Sequence, residues 1–432
     1  MPRPNILYIH SHDTGRYVQP YGQAIPTPHL QRLAEEGVLF RRAFSAAPTC
    51  SPSRAALLTG QAPHSGGMLG LAHRGFALDD YGQHLVHTLR GVGYTSTLIG
   101  IQHVARDPAV IGYDRVVDLP HNRAAAVAPA AVAFLRDAPA QPFFLSVGFF
   151  ETHRKFPPSG DPRYCLPPPT LPDTPATRAD MAAFKVSAHA LDTGIGAVLA
   201  ALDATGLAGN TLVICTTDHG LAFPGMKCTL TDRGIGVMLI LRGPGGFTGG
   251  RVCDALVSQI DLFPTLCDLA AIALPPWLQG RSLLPLIRDE REEVNDAIFA
   301  EVTYHAAYEP QRAIRTARWK YIRRFGAHDR PVLPNCDDSP SKDLWLAHDW
   351  RGHAVPQEAL YDLVFDPQEV ANRATDPALS AVLAELRGRL ARWMAATDDP
   401  LRHGPVAAPP GAWTNDPDAL SPSPPPQAPQ VG

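Results

Sequence analysis

The chain has 432 residues, of which 45% are apolar and 19% charged, and its formal net charge is −4. This length and composition are typical of a globular enzyme with one large domain or two. The lack of a lysine or arginine block argues against nucleic acid as a partner. No stretch approaches 18 uninterrupted apolar residues, so we expect no membrane span.

The start of the chain and its cysteines bear on where the protein works. Met1-Pro2-Arg3-Pro4 leads directly into an apolar strand, without the features of a secretory signal. Seven scattered cysteines, an odd number, do not suggest a disulfide framework. We therefore expect a cytoplasmic protein.

Short apolar runs alternate with helical patterns over residues 1–290. This alternation predicts an α/β fold with a mostly parallel central sheet and helices on both faces. The predicted strands are Asn5–His10, Thr95–Gly100, Phe143–Phe150, Thr211–Thr216 and Val237–Leu241. The predicted helices are Thr27–Glu36, Pro52–Leu58, His84–Gly91, Ala125–Leu135 and Arg178–Leu202.

The pattern changes after about Asp289. The segment from Ala313 to Ile322 predicts a hairpin, and a terminal helix is expected over about Pro377–Ala395, with leucines on one face. We expect a small α+β subdomain over residues 291–400. The proline-rich residues 401–432 predict a disordered or extended tail.

One short segment, Cys50-Ser51-Pro52-Ser53-Arg54, reads as the start of a helix that ends at Gly60. Ser51 can act as N-cap, and Pro52 suits the first helical position. A side chain at residue 50 would lie beside unpaired backbone N–H groups, which bind anions well. Arg54 adds a positive charge nearby. By itself, a lone cysteine is more often a buried structural residue.

Polar residues follow four of the predicted strands at their carboxyl ends, where open α/β sheets bind ligands. Together with Cys50 they place chemistry from five segments at one edge of the sheet. These residues are His10, His12, Asp13, His103, Glu151, His153, Arg154, Asp218 and His219.

The run Cys-Ser-Pro-Ser-Arg followed by Leu-Leu-Thr-Gly resembles the signature of the sulfatase family, with matches from about Asn5 to Pro377. The resemblance implies that a formylglycine-generating enzyme converts Cys50 to formylglycine, whose aldehyde hydrate attacks the sulfate sulfur. It also implies that the C-terminal subdomain contains a short antiparallel sheet. The sequence at Gly66–Leu71 and Thr174–Asp180 is similar to that of heparan N-sulfatases, also called sulfamidases.

The segments Asn5–Gly15 and Thr216–Gly220 resemble the two metal-binding stretches of the family. The resemblance implies a divalent metal held by His12, Asp13, Asp218 and His219. His12 stands where the family usually has an aspartate. Ca²⁺ is the family default, but two imidazoles favour Mn²⁺, Fe²⁺ or Zn²⁺.

The resemblance also implies catalytic roles for five residues and substrate binding for a sixth. Cys50 carries the nucleophile, Arg54 polarises the substrate, and His153 protonates the leaving group. His103 serves as base or hydrogen-bond partner, and Lys227 clamps the sulfate. Ile101 replaces the usual lysine, which places more of the charge stabilisation on Arg54, Lys227 and the substrate-binding Arg154.

The expected reaction is hydrolysis of a sulfate ester or sulfamate, on a saccharide or another small molecule. Two alternatives remain open. A phosphate or phosphonate monoester hydrolase is favoured by His12 and His219, although a phosphate dianion needs more positive charge than Ile101 leaves. A non-catalytic binding relative is compatible with Ile101 and His12, but it would not need the intact Cys-Ser-Pro-Ser-Arg segment.

Overall fold

The computed structural model describes residues 3–158 and 160–423. Its strands are β1 (Asn5–Ser11), β2 (Val38–Phe40), β3 (Ala43–Phe44), β4 (Thr95–Gly100), β5 (Arg115–Val117), β6 (Phe143–Gly148), β7 (Thr211–Thr217), β8 (Leu239–Arg242), β9 (Arg251–Cys253), β10 (Val257–Ser258), β11 (Ala297–Tyr304), β12 (Tyr308–Thr316), β13 (Trp319–Arg324) and β14 (Glu358–Asp362).

Its α-helices are α1 (Pro28–Glu36), α2 (Cys50–Thr59), α3 (Leu85–Arg90), α4 (Ala124–Arg136), α5 (Pro175–Ala204), α6 (Asp232–Ile235), α7 (Leu262–Ala270), α8 (Leu284–Ile287), α9 (Pro340–Ala347) and α10 (Ser380–Ala396). In the part of the chain that the structure describes, no helix combines the length and apolar character needed to cross a membrane.

An eight-stranded sheet in the order β5-β4-β6-β1-β7-β8-β2-β9 forms the centre of the molecule. β1 runs parallel to β6 and β7, and β4 runs parallel to β5 and β6. β8 is antiparallel to both of its neighbours. The prediction of a mostly parallel central sheet is confirmed.

Helices cover both faces of this sheet, as the continuous apolar strands require. Alternate residues of β1 contribute to two cores: Ile6 and Tyr8 to one, Leu7 and Ile9 to the other. The first core includes residues of α2, α3 and α7, and the second includes residues of α1, α4 and α5. All residues of β1 are therefore buried, and the strand fixes the position of the loop that follows it.

Helix α2 begins two residues earlier than the motif suggested. Cys50 is its first residue, Thr49 occupies the N-cap position without a side-chain cap, and Gly60 ends it in the left-handed conformation. Ser51 was expected to cap the helix. Instead, its hydroxyl accepts a hydrogen bond from the Ala72 backbone N–H, and every residue of α2 is buried.

A second, four-stranded antiparallel sheet, β11-β12-β13-β14, forms the C-terminal part. Helix α10 packs on it through Leu383, Leu386, Leu390 and Met394. The expected antiparallel subdomain and its terminal helix are confirmed. The division of the chain at residue 290 stays a prediction.

The expectation of a disordered tail from residue 401 is wrong for the part that the structure describes. The Arg74 guanidinium lies 3.8 Å from the Trp413 ring centroid and donates a 2.9 Å hydrogen bond to Asn415. The backbone of Val406 is hydrogen-bonded by Tyr304 and Tyr308. These side chains give a proline-rich segment specific partners that its composition does not reveal. Residues 424–432 lie outside the described part.

Candidate active site

The site is built where β1 and β7 end side by side. Their parallel register pairs Ser11 with Thr217, so the residues that follow each strand emerge next to each other. Asp13 and Asp218 are thereby joined directly: the Asp13 backbone N–H donates a 2.8 Å hydrogen bond to Asp218 Oδ1. Cys50 enters from the first turn of α2, with its Sγ 3.3 Å from His219 Nε2.

Asp218 is the most heavily bonded carboxylate of the site. Its Oδ1 accepts hydrogen bonds from the backbone N–H groups of Asp13 and His219, and its Oδ2 accepts one from Arg54 at 3.0 Å. Burial alone would raise its pKa, but the neighbouring His219 and Arg54 hold the pKa well below its usual range. Asp218 is therefore ionised within the protein interior.

The two histidines beside these carboxylates have nitrogens free to coordinate. His219 Nδ1 donates a 3.0 Å hydrogen bond to the Gly220 carbonyl, so Nε2 is the ring nitrogen that faces Asp13 and Cys50. His12 Nδ1 lies 3.1 Å from Asp218 Oδ2. Both ring nitrogens of His12, and Asp13 Oδ1, are buried without a hydrogen-bond partner among the described residues.

Unsatisfied buried polar atoms are costly, and here they converge. Ligand atoms of His12, Asp13, Cys50 and Asp218 all lie within 4.8 Å of one another. Two carboxylates and one imidazole in this arrangement fit a divalent metal, with residue 50 at its edge, and His219 Nε2 lies close by, 3.3 Å from Asp13 Oδ1 and 3.7 Å from Asp218 Oδ2.

Two buried cations flank Cys50. Arg54 donates to Asp218 Oδ2 and to the Ser11 carbonyl, at 3.0 and 2.8 Å. Lys227 Nζ lies 3.1 Å from Asp13 Oδ2. Both side chains are only 2% exposed. Solvent therefore screens their charges weakly, and both charges would attract an anion bound at residue 50.

The Cys50 thiol itself is a poor nucleophile in this setting. Burial is the main factor that raises its pKa well above the ordinary value, and Asp13 and Asp218 add to it, outweighing Lys227 and Arg54. Reactive cysteines depend on the opposite shift, because the thiolate is the attacking form.

Three further histidines line the outer side of the site. His12 lies 5.5 Å from both His103 and His153, measured between ring centroids, and His73 stacks on His103 at 5.2 Å. Burial lowers the pKa of His103 well below its ordinary value, and His73 and Arg54 lower it further. His103 is therefore neutral.

Arg154 does not join the cluster, contrary to the expectation from its position beside His153. Its guanidinium is bound to both oxygens of Asp180, at 2.7 and 2.8 Å, and to the Ala222 carbonyl. It also lies over the rings of Phe156 and Phe223. These contacts hold the Arg154 guanidinium against helix α5. The cations that remain near residue 50, and that could replace the charge of the lysine missing at Ile101, are Arg54 and Lys227.

Comparison with known proteins agrees with this geometry. Residues 4–272 match the family model described as Sulfatase, and residues 226–344 match the one described as N-sulphoglucosamine sulphohydrolase, C-terminal. The human N-sulphoglucosamine sulphohydrolase is 31% identical over 92% of this chain and 91% of its own length. The chain belongs to the sulfatase family.

Other sulfatases match over similar lengths. A Delta 4,5-hexuronate-2-O-sulfatase of Bacteroides thetaiotaomicron is 28% identical, covering 94% of this chain and 92% of that protein. A solved structure of a 2-O GAG sulfatase superposes with a TM-score of 0.74 at 25% identity, covering 94% of this chain and 95% of the other. This sulfatase is thus matched along both of its sheets.

Sequence reasoning missed several residues of this sulfatase's site. His10 was noted only for its position, yet its ring accepts a hydrogen bond from Arg54 and so orients that cation. His73 had no signal, because it lies in a loop away from the strand ends. Asp337 and His305 come from the C-terminal part, and only the tertiary fold brings them near Lys227.

Proposed function

We propose that this sulfatase hydrolyses a sulfate ester or sulfamate of a saccharide, with residue 50 matured to formylglycine. The observation that supports this most is the surrounding of Cys50: two carboxylates and the His12 imidazole that fit a metal on one side, His219 Nε2 next to the thiol, and two buried cations beside it. Such a centre suits an anionic substrate attacked at residue 50.

Two groups would complete the chemistry. A divalent metal held by His12, Asp13, Asp218 and His219 would polarise the sulfate oxygens, and formylglycine at residue 50 would supply a hydroxyl nucleophile. The raised pKa of the unmodified thiol supports maturation, since the thiol form would be largely protonated at neutral pH. A formylglycine-generating enzyme is the partner that this proposal requires.

The remaining steps belong to residues of the chain. Arg54 and Lys227 neutralise the sulfate charge that grows in the transition state. His153, whose side chain is 24% exposed, lies at the open side and donates a proton to the leaving oxygen or nitrogen. His103 lies 5.5 Å from His12 between ring centroids, and its buried Nδ1 has no hydrogen-bond partner among the described residues, so it would accept the proton from residue 50 as sulfate leaves.

The saccharide substrate class is supported by the relatives. The human relative is named for N-sulphoglucosamine and the Bacteroides relative for a hexuronate 2-O-sulfate. Their similarity extends over more than nine tenths of this chain, including the C-terminal sheet.

Mass spectrometry of the tryptic peptide carrying Cys50 tests the proposal. Conversion of the thiol to the aldehyde lowers the peptide mass by about 18 Da. We expect this form in active protein, and Cys50→Ala should abolish sulfate release while the fold persists. Cys253→Ala, at a partly exposed thiol in β9, is the matched control and should remain active. Activity with only free thiol at residue 50 would overturn the mechanism.

A further inference from the structure

Asp337 brings a carboxylate from the C-terminal part of the chain to the edge of the site. It follows the turn at Leu333–Asn335 and precedes α9. Its Oδ2 lies 3.1 Å from Lys227 Nζ, and its side chain is 21% exposed. Apart from Lys227, no described residue gives this carboxylate a hydrogen-bond partner. The buried Oδ2 therefore has unused acceptor capacity, in a side chain that is partly exposed at the edge of the site.

This carboxylate is charged. Burial alone would raise the pKa of Asp337, but Lys227, His153 and His305 together hold the pKa well below its usual range. A negative charge beside a sulfate-binding lysine weakens the attraction for the sulfate. The arrangement is therefore unfavourable for sulfate alone and calls for a second substrate group that pairs with the carboxylate.

The position of Asp337 indicates which substrate group this is. Asp13 and Asp218, on the metal side, are fully enclosed. Asp337 and His153 are instead both partly exposed, and they meet at the same ion pair: Lys227 Nζ is 3.1 Å from both Asp337 Oδ2 and Asp13 Oδ2, and His153 Nε2 is 3.9 Å from Asp13 Oδ2. In the proposed function, His153 protonates the leaving group. Asp337 therefore lies on the leaving-group side.

We propose that Asp337 is a specificity-determining residue that accepts a hydrogen bond from a hydroxyl or ammonium group of the saccharide, next to the sulfated atom. The inference rests on the proposed function and assigns the side of the site that recognises the sugar. A substrate whose leaving group lacks such donors would leave the carboxylate without a partner once bound. Burying an unpaired charged group is costly, so such a substrate should bind more weakly.

Two substrates distinguish recognition of the sugar by Asp337 from an effect of Asp337 on Lys227 alone. N-sulfoglucosamine carries hydroxyl and nitrogen-bound donors around the sulfated atom, whereas 4-nitrophenyl sulfate carries none. With Asp337→Ala we expect kcat/KM for N-sulfoglucosamine to fall roughly 10- to 100-fold, mainly through KM, because a charged hydrogen bond is lost. For 4-nitrophenyl sulfate it should change less than about threefold. Asp337→Asn, which keeps an acceptor, should give an intermediate loss.

Asp338→Asn is the matched control, since the neighbouring carboxylate is 56% exposed and bonds Lys342 instead. It should leave both substrates unchanged. Equal losses for both substrates with Asp337→Ala would mean that Asp337 acts only through Lys227, and the inference would be wrong.

Binding to the Cys50→Ala protein separates this inference from the proposed function. Calorimetry should show that Asp337→Ala weakens N-sulfoglucosamine about tenfold or more and 4-nitrophenyl sulfate little. If the parent binds the saccharide but the matured enzyme turns over neither compound, the proposed function fails while recognition by Asp337 stands. If the saccharide does not bind, or binds equally well without Asp337, the inference is overturned.

Discussion

Two single residues distinguish this site from the usual pattern of its family. His12 places an imidazole where an aspartate is common, and its two ring nitrogens are buried without hydrogen-bond partners among the described residues. Ile101 places an apolar side chain where a lysine is common. In the proposed function, the first change would soften the metal site, and the second would leave the sulfate charge to Arg54 and Lys227.

Metal preference should follow His12. Two imidazoles beside two carboxylates favour Mn²⁺, Fe²⁺ or Zn²⁺ over Ca²⁺. After chelation, we expect Mn²⁺ or Zn²⁺ to restore more activity than Ca²⁺, and His12→Asp to shift the preference toward Ca²⁺. Elemental analysis and metal-dependent thermal shifts measure both effects. Full recovery with Ca²⁺ alone, unchanged by His12→Asp, would refute the argument from ligand softness.

Lys227 should carry much of the charge stabilisation that Ile101 cannot provide. One charge-assisted contact is worth roughly 1.5–3 kcal/mol, so Lys227→Ala should lower kcat/KM for sulfate about ten- to a hundredfold. Ile101→Lys should improve turnover or partly rescue that variant. Lys155→Ala, in a loop outside the cluster, is a control that should retain activity. A harmless Lys227→Ala would exclude compensation by this residue.

At the scale of elements, the loop after β6 is held by an ion pair rather than by the catalytic cluster. Arg154 and Asp180 are 8% and 3% exposed, and the Ser341 hydroxyl donates a further hydrogen bond to Asp180. The pair ties the loop that carries His153 to helix α5 and to the start of α9. Its role is therefore to position that loop.

Breaking this pair should destabilise the protein. Arg154→Ala leaves Asp180 buried without its main partner, and we expect the free energy of unfolding to fall by about 3 kcal/mol. Arg163→Ala breaks the fully exposed pair with Asp161 in the same loop and should change stability little. Denaturant titration measures both. If Arg154→Ala leaves stability unchanged and raises only the KM for sulfate, the substrate-binding role expected from the sequence would be correct after all.

At the scale of the whole molecule, a buried ion cluster joins the loop after α2 to the C-terminal sheet. Arg312 in β12 is bonded to both oxygens of Asp399 and lies 3.2 Å from Glu301 in β11. His64, from the loop after α2, bonds the same Glu301. These side chains are essentially inaccessible, so the segment after the motif helix is anchored in the C-terminal part.

Removing Arg312 should therefore destabilise the whole molecule. Arg312→Ala leaves Asp399 buried without its bidentate partner and leaves Glu301 with His64 alone, and breaking such a buried pair costs roughly 3–5 kcal/mol. Arg318→Ala, at an exposed arginine paired with Asp362, should change the free energy of unfolding little. Chemical unfolding compares the two variants. Similar losses of unfolding free energy in both variants would show that the buried cluster stabilises the protein no more than an exposed ion pair does.

The same cluster gives stability a pH dependence with a definite sign. Burial alone would raise the pKa of Asp399, but Arg312 outweighs it and lowers the pKa below its usual value. Because the folded state favours the ionised form, this contribution is present above the unfolded pKa and is lost as the pH falls below it. Arg312→Ala should flatten the loss of stability in acid, and an unchanged acid profile would argue against this assignment.

The sequence alone determined the architecture and the centre of the site. Continuous apolar strands between helical patterns can pack only as a covered, mostly parallel sheet, and strand ends such as those before Asp13 and Asp218 must meet at one edge. The motif at Cys50 likewise depends on residues that are contiguous in the chain. Strand and helix patterns and contiguous motifs are properties of short segments, so the sequence alone shows them.

Tertiary structure alone decided which neighbours each group acquires. Arg154 lies outside the cluster around Cys50 because it is bonded to the buried Asp180. The segment around Trp413 is packed because the Arg74 guanidinium lies over the Trp413 ring. Asp337 reaches Lys227 only through the placement of the second sheet against the first. Such contacts join residues far apart in sequence, and no periodicity or spacing records them.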